Sequence, residues 1–386
     1  MQIIVKLTTG CNLSCTYCSE GDKPLEVIDK RIIFKLIDEI PLLLDKYSDN
    51  NIEFLWHGGE PLTVGKSFLK DLMDYAKNKL QKYNLKFMVQ TNGVLIDDEW
   101  INVFKLYNVG VGISLDGYKE LHDKNRITKA GMPTFDIILE NIRKLKKAEI
   151  YPGTLMVVNT ANKIDVAKLF DVIKEYDLSP KIQPVIPCGR AADILEVEDI
   201  YDNYVDLLKE LYKLVLNDNK TIVIEPLDEI MNAILGFSCM RECSFNGLCA
   251  KNFISVFADG VVSFCGRNKS NEIIYGNLKD NNILELYESN TAERVRNRQI
   301  FLQKHDCMNC EDWTLCYGGC SFEAFNCTGS LESKYPYCKQ RKSLLNFLKT
   351  EGLELLKKRL LKEKIEYRTL VKEQEKLLED LRDARK

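Results

Sequence analysis

Cys11, Cys15 and Cys18 follow directly on a short apolar run at the N-terminus, so three thiols converge in one loop. A cubane [4Fe–4S] cluster takes four ligands, and a three-cysteine loop leaves one iron open to a ligand that is not protein. Zinc with a distant fourth ligand is the alternative, although none of the three histidines of the chain lies near this loop in sequence. The chain has 14 cysteines, and in a reducing compartment clusters of them argue for metal or cluster ligation over disulfides. Cys188, and with it Cys239, reads as a buried structural thiol.

These groups need a scaffold. Ile3–Leu7, Ile52–Trp56, Leu85–Gln90, Val111–Leu115, Thr154–Asn159 and Lys181–Ile186 are short apolar runs of strand type. Between them, Asp29–Tyr47, Lys66–Tyr83, Asp97–Tyr107, Phe135–Lys147, Ile164–Tyr176 and Asp199–Leu216 carry apolar residues at helical spacing. Such alternation predicts an α/β fold with a parallel sheet, closed or partly closed into a (β/α)6 barrel, and chemistry at the C-terminal strand ends. The expected division is a barrel over 1–225, a cysteine-rich domain over 226–340 and a helical extension over 341–386. In that extension Leu353, Leu356, Leu360, Tyr367, Leu370, Leu377 and Leu381 fit a spacing of three to four, interrupted by Glu363 and Gln374. One long helix is expected there, packed on its own protein, solvated, or joined to a partner.

Composition narrows the function classes. A net charge of −3 offers no basic field for nucleic acid or an anionic membrane. No apolar run reaches the ~20 residues of a membrane span. The N-terminus lacks a signal-peptide pattern, and a cytoplasmic protein is expected.

Cys11-Asn-Leu-Ser-Cys15-Thr-Tyr17-Cys18 resembles the cluster loop of the radical S-adenosylmethionine (SAM) superfamily. The resemblance implies that the open iron chelates SAM, whose reductive cleavage yields a 5′-deoxyadenosyl radical. Gly58-Gly59-Glu60-Pro61, Gln90-Thr91-Asn92-Gly93 and Ser114-Leu115-Asp116-Gly117 stand at the ends of the second, third and fourth strands, in the order the family shows. By resemblance Tyr17, Gly58, Gly59, Glu60, Ser114 and Arg126 bind SAM. Taken singly, Ser114 reads as a strand-end hydroxyl and Arg126 as a surface charge. The glycines are expected to let the backbone approach the methionine amino group.

The second cysteine series resembles the SPASM extension of radical SAM enzymes. Carried over position by position, Cys243, Cys249, Cys265 and Cys320 would hold one auxiliary cluster, and Cys307, Cys310, Cys316 and Cys338 another. Three [4Fe–4S] clusters and SAM are the implied cofactors. Cys239 and Cys327 are left over, as free thiols or, for Cys239, a substitute for Cys243.

SPASM proteins act mostly on peptides or proteins, with a small one-electron donor such as flavodoxin or ferredoxin. The layout is similar to anaerobic sulfatase-maturing enzymes, which oxidise Cys or Ser to formylglycine. Those enzymes place an aspartate, the proposed base for the substrate thiol, after the third ligand of the first auxiliary cluster. This chain has Gly266 there, and glycine accepts no proton. A maturase of a cysteine-containing peptide forming a thioether is therefore expected, with formylglycine formation or carbon–carbon cross-linking as alternatives. Arg267 is a candidate for lowering the substrate thiol's pKa, against the ordinary role of a solvated cation. The first strand begins at residue 2, so leader recognition is expected from the C-terminal helix, the barrel surface or a separate protein. An electron carrier or iron sensor, the non-enzymatic reading, would have no use for the series of SAM contacts.

Overall fold

The computed structural model describes residues 1–194, 196–267 and 270–362. Six strands alternate with helices: β1 Gln2–Lys6, β2 Asn51–His57, β3 Asn84–Thr91, β4 Val109–Ser114, β5 Gly153–Val158 and β6 Pro180–Pro184. Each pairs in parallel with the next, Val5 lying opposite Trp56 and Trp56 opposite Val89. All six strands expected from sequence are present, with ends displaced by up to two residues.

Side-chain alternation sets the two faces of this sheet. Ile3 and Val5 of β1, Phe54 and Trp56 of β2, and Val89 of β3 are fully buried and face the helices. Trp56 stacks on Phe54 with ring centroids 5.3 Å apart. Its truncation to Ala would cost about 3–5 kcal/mol. The alternate positions, among them Lys6, His57, Gln90, Ser114, Lys181 and Gln183, share the opposite face, which becomes the barrel interior.

The helices start where the sequence supplies caps. Asp29, Asp97 and Asp165 each accept a hydrogen bond from the first turn of the helices Lys30–Lys46, Asp98–Tyr107 and Val166–Glu175. A short helix over Lys119–Asn125, between the fourth strand and the helix Phe135–Lys147, has too few periodic positions to stand out in the sequence.

The cysteine-rich segment joins the same sheet. Its first strand, β7 (Phe253–Val256), pairs in parallel with β1, and β8 (Val261–Ser263) and β9 (Ile274–Asn277) follow antiparallel. The order is β6-β5-β4-β3-β2-β1-β7-β8-β9, so β1, which leads into the cysteine loop, lies inside the sheet.

The C-terminal helix differs from the expectation of one unbroken helix. It begins at Cys338, runs to Phe347, passes through a π-helical turn over Leu348–Gly352 and continues over Leu353–Lys362. Leu344, Leu345, Phe347 and Leu348 are buried, packing beside the long helix Val197–Asn217, with Phe347 edge-on to Tyr212. A Cβ at Gly352 would stand 3.2 Å from the Phe347 carbonyl and from the Tyr212 ring. The absence of one lets the π turn close on its neighbour. The heptad positions Tyr367, Leu370, Leu377 and Leu381 lie outside the described residues.

Candidate functional site

The loop after β1 is held from three sides. From β2, Gly59 N–H donates to Thr8 O at 2.7 Å and Glu60 N–H to Gly10 O at 2.8 Å. A Cβ at Gly58 would stand 2.6 Å from the Thr8 carbonyl oxygen and one at Gly59 2.3 Å from that of Gly10. The glycine pair is thus required by the main chain leading into the cysteine loop, a closer constraint than the ligand contact expected of it. From the segment after β4, Ser14 N–H donates to Ile127 O at 2.8 Å and Thr16 N–H to Asn125 O at 3.0 Å. From the turn after β6, Arg190 N–H donates to Cys18 O at 2.9 Å and its Nη1 to Cys15 O at 2.8 Å.

Within this frame Cys15 and Cys18 lie close enough to Cys11, and Cys18 to Cys15, to bear on the ionisation of Cys11 and Cys15. Burial pushes the Cys11 thiol up to about 11, with Cys15 and Cys18 reinforcing it and the Leu13 N–H opposing it. Burial also raises Cys15. Thiols in such a site stay protonated until a metal displaces the proton, so the donor chemistry fits an iron–sulfur cluster. Among the described residues no three His, Cys, Asp or Glu side chains sit close enough to share one metal ion. A cubane spreads its ligands more widely.

Around the loop two of the SAM-contact candidates, Tyr17 and Arg126, meet on Asp116. Asp116 is 1% exposed; its Oδ2 accepts from Arg126 Nε at 2.9 Å and from the Tyr17 hydroxyl, and its Oδ1 from Val157 N–H at 3.1 Å. Burial works against charge on Arg126, and Asp116 more than reverses it, holding the guanidinium above its ordinary pKa. Arg126 is therefore no surface charge; it lies 5.4 Å over the Tyr17 ring. Ser114 Oγ accepts from Gln90 Nε2 at 3.2 Å.

Glu60 turns its side chain into the protein. Its Oε1 accepts from Leu62 N–H at 3.1 Å and Thr91 Oγ1 at 2.7 Å, and its Oε2 from Asn92 N–H at 2.7 Å. The carboxyl ties the end of β2 to that of β3. Asn92 in turn donates to Asn12 Oδ1 at 2.7 Å, next to Cys11. Asp116 and Asn92 lie inside the strand-end motifs and were legible there; Arg190, far from any motif, gave no signal.

The second cysteine series gathers in two sets. Burial raises Cys243, Cys249 and Cys320, with Cys249 and Cys320 reinforcing Cys243, and Cys265 reinforcing both Cys249 and Cys320. Burial pushes Cys307 up to about 11, reinforced by Cys316, Cys310 and Cys338. Cys239 is exposed, correcting its reading as a buried thiol; Cys327 is exposed with Sγ 3.6 Å from the Tyr337 hydroxyl, and Cys188 is buried. Arg267 is partly buried, against the solvated role expected of it. Burial disfavours its charge, and Cys265, Cys320 and Cys243 outweigh that, so it faces the first thiol set. A cleft between β6 and this segment is lined by Lys181, Gln183, Glu242, Arg267, Glu323 and Arg341, among others.

The interior end of β1 carries a buried polar chain. Lys6 Nζ donates to Glu20 Oε1 at 2.6 Å and lies 3.4 Å from His57 Nδ1. Burial works to raise the Glu20 carboxyl, and Lys6 with Lys23 outweighs it, holding Glu20 at about 2. Burial, then Lys6, lowers His57 to about 3.

The radical SAM superfamily matches residues 5–173, and SPASM, an iron–sulfur cluster-binding domain, residues 243–311. A cysteine-type anaerobic sulfatase-maturating enzyme of Clostridium novyi (strain NT) is 28% identical over 336 residues, 82% of this chain and 87% of that one. The structure of native anSMEcpe with bound AdoMet and the Cp18Cys peptide aligns with a TM-score of 0.79 at 24% identity, covering 93% of this chain and 98% of that one. Streptococcus suis SuiB bound to precursor peptide SuiA aligns at 0.62 and 14% identity, over 88% of this chain and 75% of that one. With the cysteine loop at the mouth of a partial barrel and both domains matched, the chain carries a radical SAM domain followed by a SPASM domain, and it is an enzyme whose cofactors are SAM and [4Fe–4S] clusters.

Proposed function

We propose that this enzyme matures a cysteine-containing peptide by joining its thiol to a carbon in a thioether. The observation that carries this reading is Gly266. A Cβ there would stand 3.0 Å from Lys6 Cε and 3.5 Å from Ser255 Oγ, so the position of the sulfatase maturases' aspartate opens here on a lysine. The two acceptors joined to that lysine are engaged. Glu20 is locked between Lys6 and Lys23, and His57 Nδ1 takes the Gly58 N–H at 2.7 Å. A carboxylate at about 2 and an imidazole at about 3 are poor bases at neutral pH.

Bound SAM and a reduced cluster supply the radical that takes a hydrogen atom from the substrate. Counting that hydrogen atom, thioether formation removes one hydrogen atom from carbon, one proton from sulfur and one electron, which an oxidised auxiliary cluster would accept, and makes one carbon–sulfur bond. In this reading Cys11, Cys15 and Cys18 hold the SAM cluster. Cys243, Cys249, Cys265 and Cys320 hold one auxiliary cluster and Cys307, Cys310, Cys316 and Cys338 the other, making three. Tyr17, Gly58, Gly59, Glu60, Ser114 and Arg126 surround SAM, Glu60 acting through the strand ends that it ties together. Arg267 faces the first auxiliary thiols, placed to stabilise a substrate thiolate. The barrel over 1–225, the auxiliary domain over 226–340 and the helix beyond divide the work. A flavodoxin- or ferredoxin-type donor supplies the electrons, and the C-terminal helix, the barrel surface or a separate protein recognises the leader.

Formylglycine formation is the second reading, favoured by relatives such as the Clostridium novyi enzyme. Mass spectrometry of cysteine peptides incubated with enzyme, SAM and reductant separates the two. Loss of two hydrogens with the cysteine no longer alkylatable supports the thioether. The same loss with the thiol intact means a carbon–carbon bond, and an aldehyde on a sulfatase-type peptide means formylglycine.

A further inference from the structure

Two buried arginines stand between the two thiol sets of the cysteine-rich segment. Arg298 is 3% exposed and places its donors on four main-chain carbonyls, Leu331, Gly319, Gly318 and Ser333, at 2.7 to 3.1 Å. It builds the loop that carries Cys316 and Cys320, and none of these bonds goes to sulfur.

Arg341 is placed differently. It lies three residues after Cys338 on the helix that this cysteine opens, and is 7% exposed. Its guanidinium is clamped between two rings, 3.8 Å from the Phe245 centroid and 4.1 Å from that of Tyr335. Nη1 donates to the Ser244 carbonyl, next to Cys243, and to Cys316 Sγ at 3.7 Å. One guanidinium thus touches a sulfur of one set and the main chain beside a cysteine of the other.

A cubane on four thiolates is negatively charged and gains another negative charge on reduction. A cation that also donates N–H to a ligand sulfur stabilises the reduced form more than the oxidised one, and burial keeps water from screening it. Arginine suits the place because a planar fork can stack between rings and donate at its edge, which an ammonium cannot do.

We propose that Arg341 sets the reduction potential of the cluster held by Cys307, Cys310, Cys316 and Cys338, raising it through the contact with Cys316, and couples it to the neighbouring cluster through Ser244. Arg341 is a positioning residue: it acts on the cluster through the sulfur of Cys316. The proposal rests on the cluster assignment above, which iron content tests separately.

The experiment uses reconstituted full-length protein in which Cys11, Cys15 and Cys18 are all Ala, so that only the auxiliary clusters report. Such protein should hold about 8 iron per chain; markedly less would refute the cluster assignment itself. Redox titration with dithionite, followed by electron paramagnetic resonance, yields one wave per cluster. The wave missing from a Cys310→Ala protein belongs to the second cluster. Arg341→Gln should lower that wave by about tenfold in the reduction equilibrium, about 59 mV for one electron. Arg341→Lys, which keeps the charge and loses the stacked fork, should fall between. Both variants titrating at the parent potential with full iron would overturn the proposal. Where Arg341→Gln fails to load the second cluster, Arg341→Lys decides by the same criterion; loss of that iron in both makes Arg341 a folding residue and overturns it too.

Discussion

Arg190 donates to the carbonyl of Cys15 from its guanidinium at 2.8 Å, across 175 positions of sequence. β6 and β1 share no ladder, and this turn after β6 reaches the loop after β1 through such hydrogen bonds and the Arg190–Asp22 ion pair. The approach is close enough that a Cβ at Gly189, where φ is +62°, would stand 2.3 Å from the Cys18 carbonyl oxygen. Arg190→Ala should loosen the loop while leaving its thiols in place. The expected result is iron release to a chelator about tenfold faster from one third of the iron, with the auxiliary iron unaffected. Uniform release from all clusters would show that Arg190 supports the whole fold and not this loop.

Replacing Cys11, Cys15 and Cys18 together by Ala should lower reconstituted iron from about 12 to about 8 per chain and abolish SAM cleavage. Formation of 5′-deoxyadenosine by the triple variant would sink the active-site assignment.

Asp116 is the partner that makes a buried Arg126 tolerable. Asp116→Asn leaves the guanidinium without its counter-charge and the Tyr17 hydroxyl without its carboxylate. Breaking a buried pair from one side costs about 3–5 kcal/mol. The expected outcome is a thermal midpoint lowered by several degrees and SAM affinity weakened at least tenfold, measured by equilibrium dialysis. Unchanged SAM affinity in a folded variant would remove Arg126 from the SAM site.

Much of this architecture was legible in the sequence because the first six strands alternate sharply and each helix has an apolar stripe. Ile3 and Val5, Phe54 and Trp56, and Val89 mark the buried face with period two. The pairing of β7 with β1 was not legible, since four residues, Phe253–Val256, carry no sign of which edge they will join. Arg190 and Arg341 were not legible for a related reason: each is a single cation whose partner, the Cys15 carbonyl for one and the Ser244 carbonyl for the other, lies far away in sequence. Cys239 reads like its neighbours, and only its exposure sets it apart.

Glu60 has a pH signature. Burial raises its carboxyl from 4.5 to about 7, against three hydrogen-bond donors. The native state therefore holds a proton in that window which the unfolded chain has released, so this group's contribution to stability falls as pH rises through it and levels off above. The whole effect is up to about 3 kcal/mol. Glu60→Gln has no such proton. The wild-type minus variant difference in thermal midpoint should decline between about pH 4.5 and 7 and then flatten; a difference that is flat throughout, or rising, would show that the three donors outweigh burial.

The C-terminal helix contains two cut points with opposite expectations. Up to Lys362 it is fastened to the body: Glu351 pairs with Lys213 at 2.8 Å, Arg359 Nη1 donates to Val215 O at 2.9 Å, and Leu353 and Leu356 pack on the core. Just before them Lys349 Nζ donates to Asp312 Oδ1 at 2.5 Å, and Asp312 lies between Cys310 and Cys316. Ending the chain after Thr350 removes the two leucines and frays the turn that holds Lys349. Their partial burial is worth about 2 kcal/mol together, which should appear as a lower thermal midpoint. The loop bearing Cys310 and Cys316 should loosen with it, drawing iron below about 12 per chain. Ending it after Lys362 touches none of these contacts and should leave iron content and substrate-free SAM cleavage at the full-length level. Equal behaviour of the two truncations would show that residues 351–362 add nothing to the fold, whatever their packing.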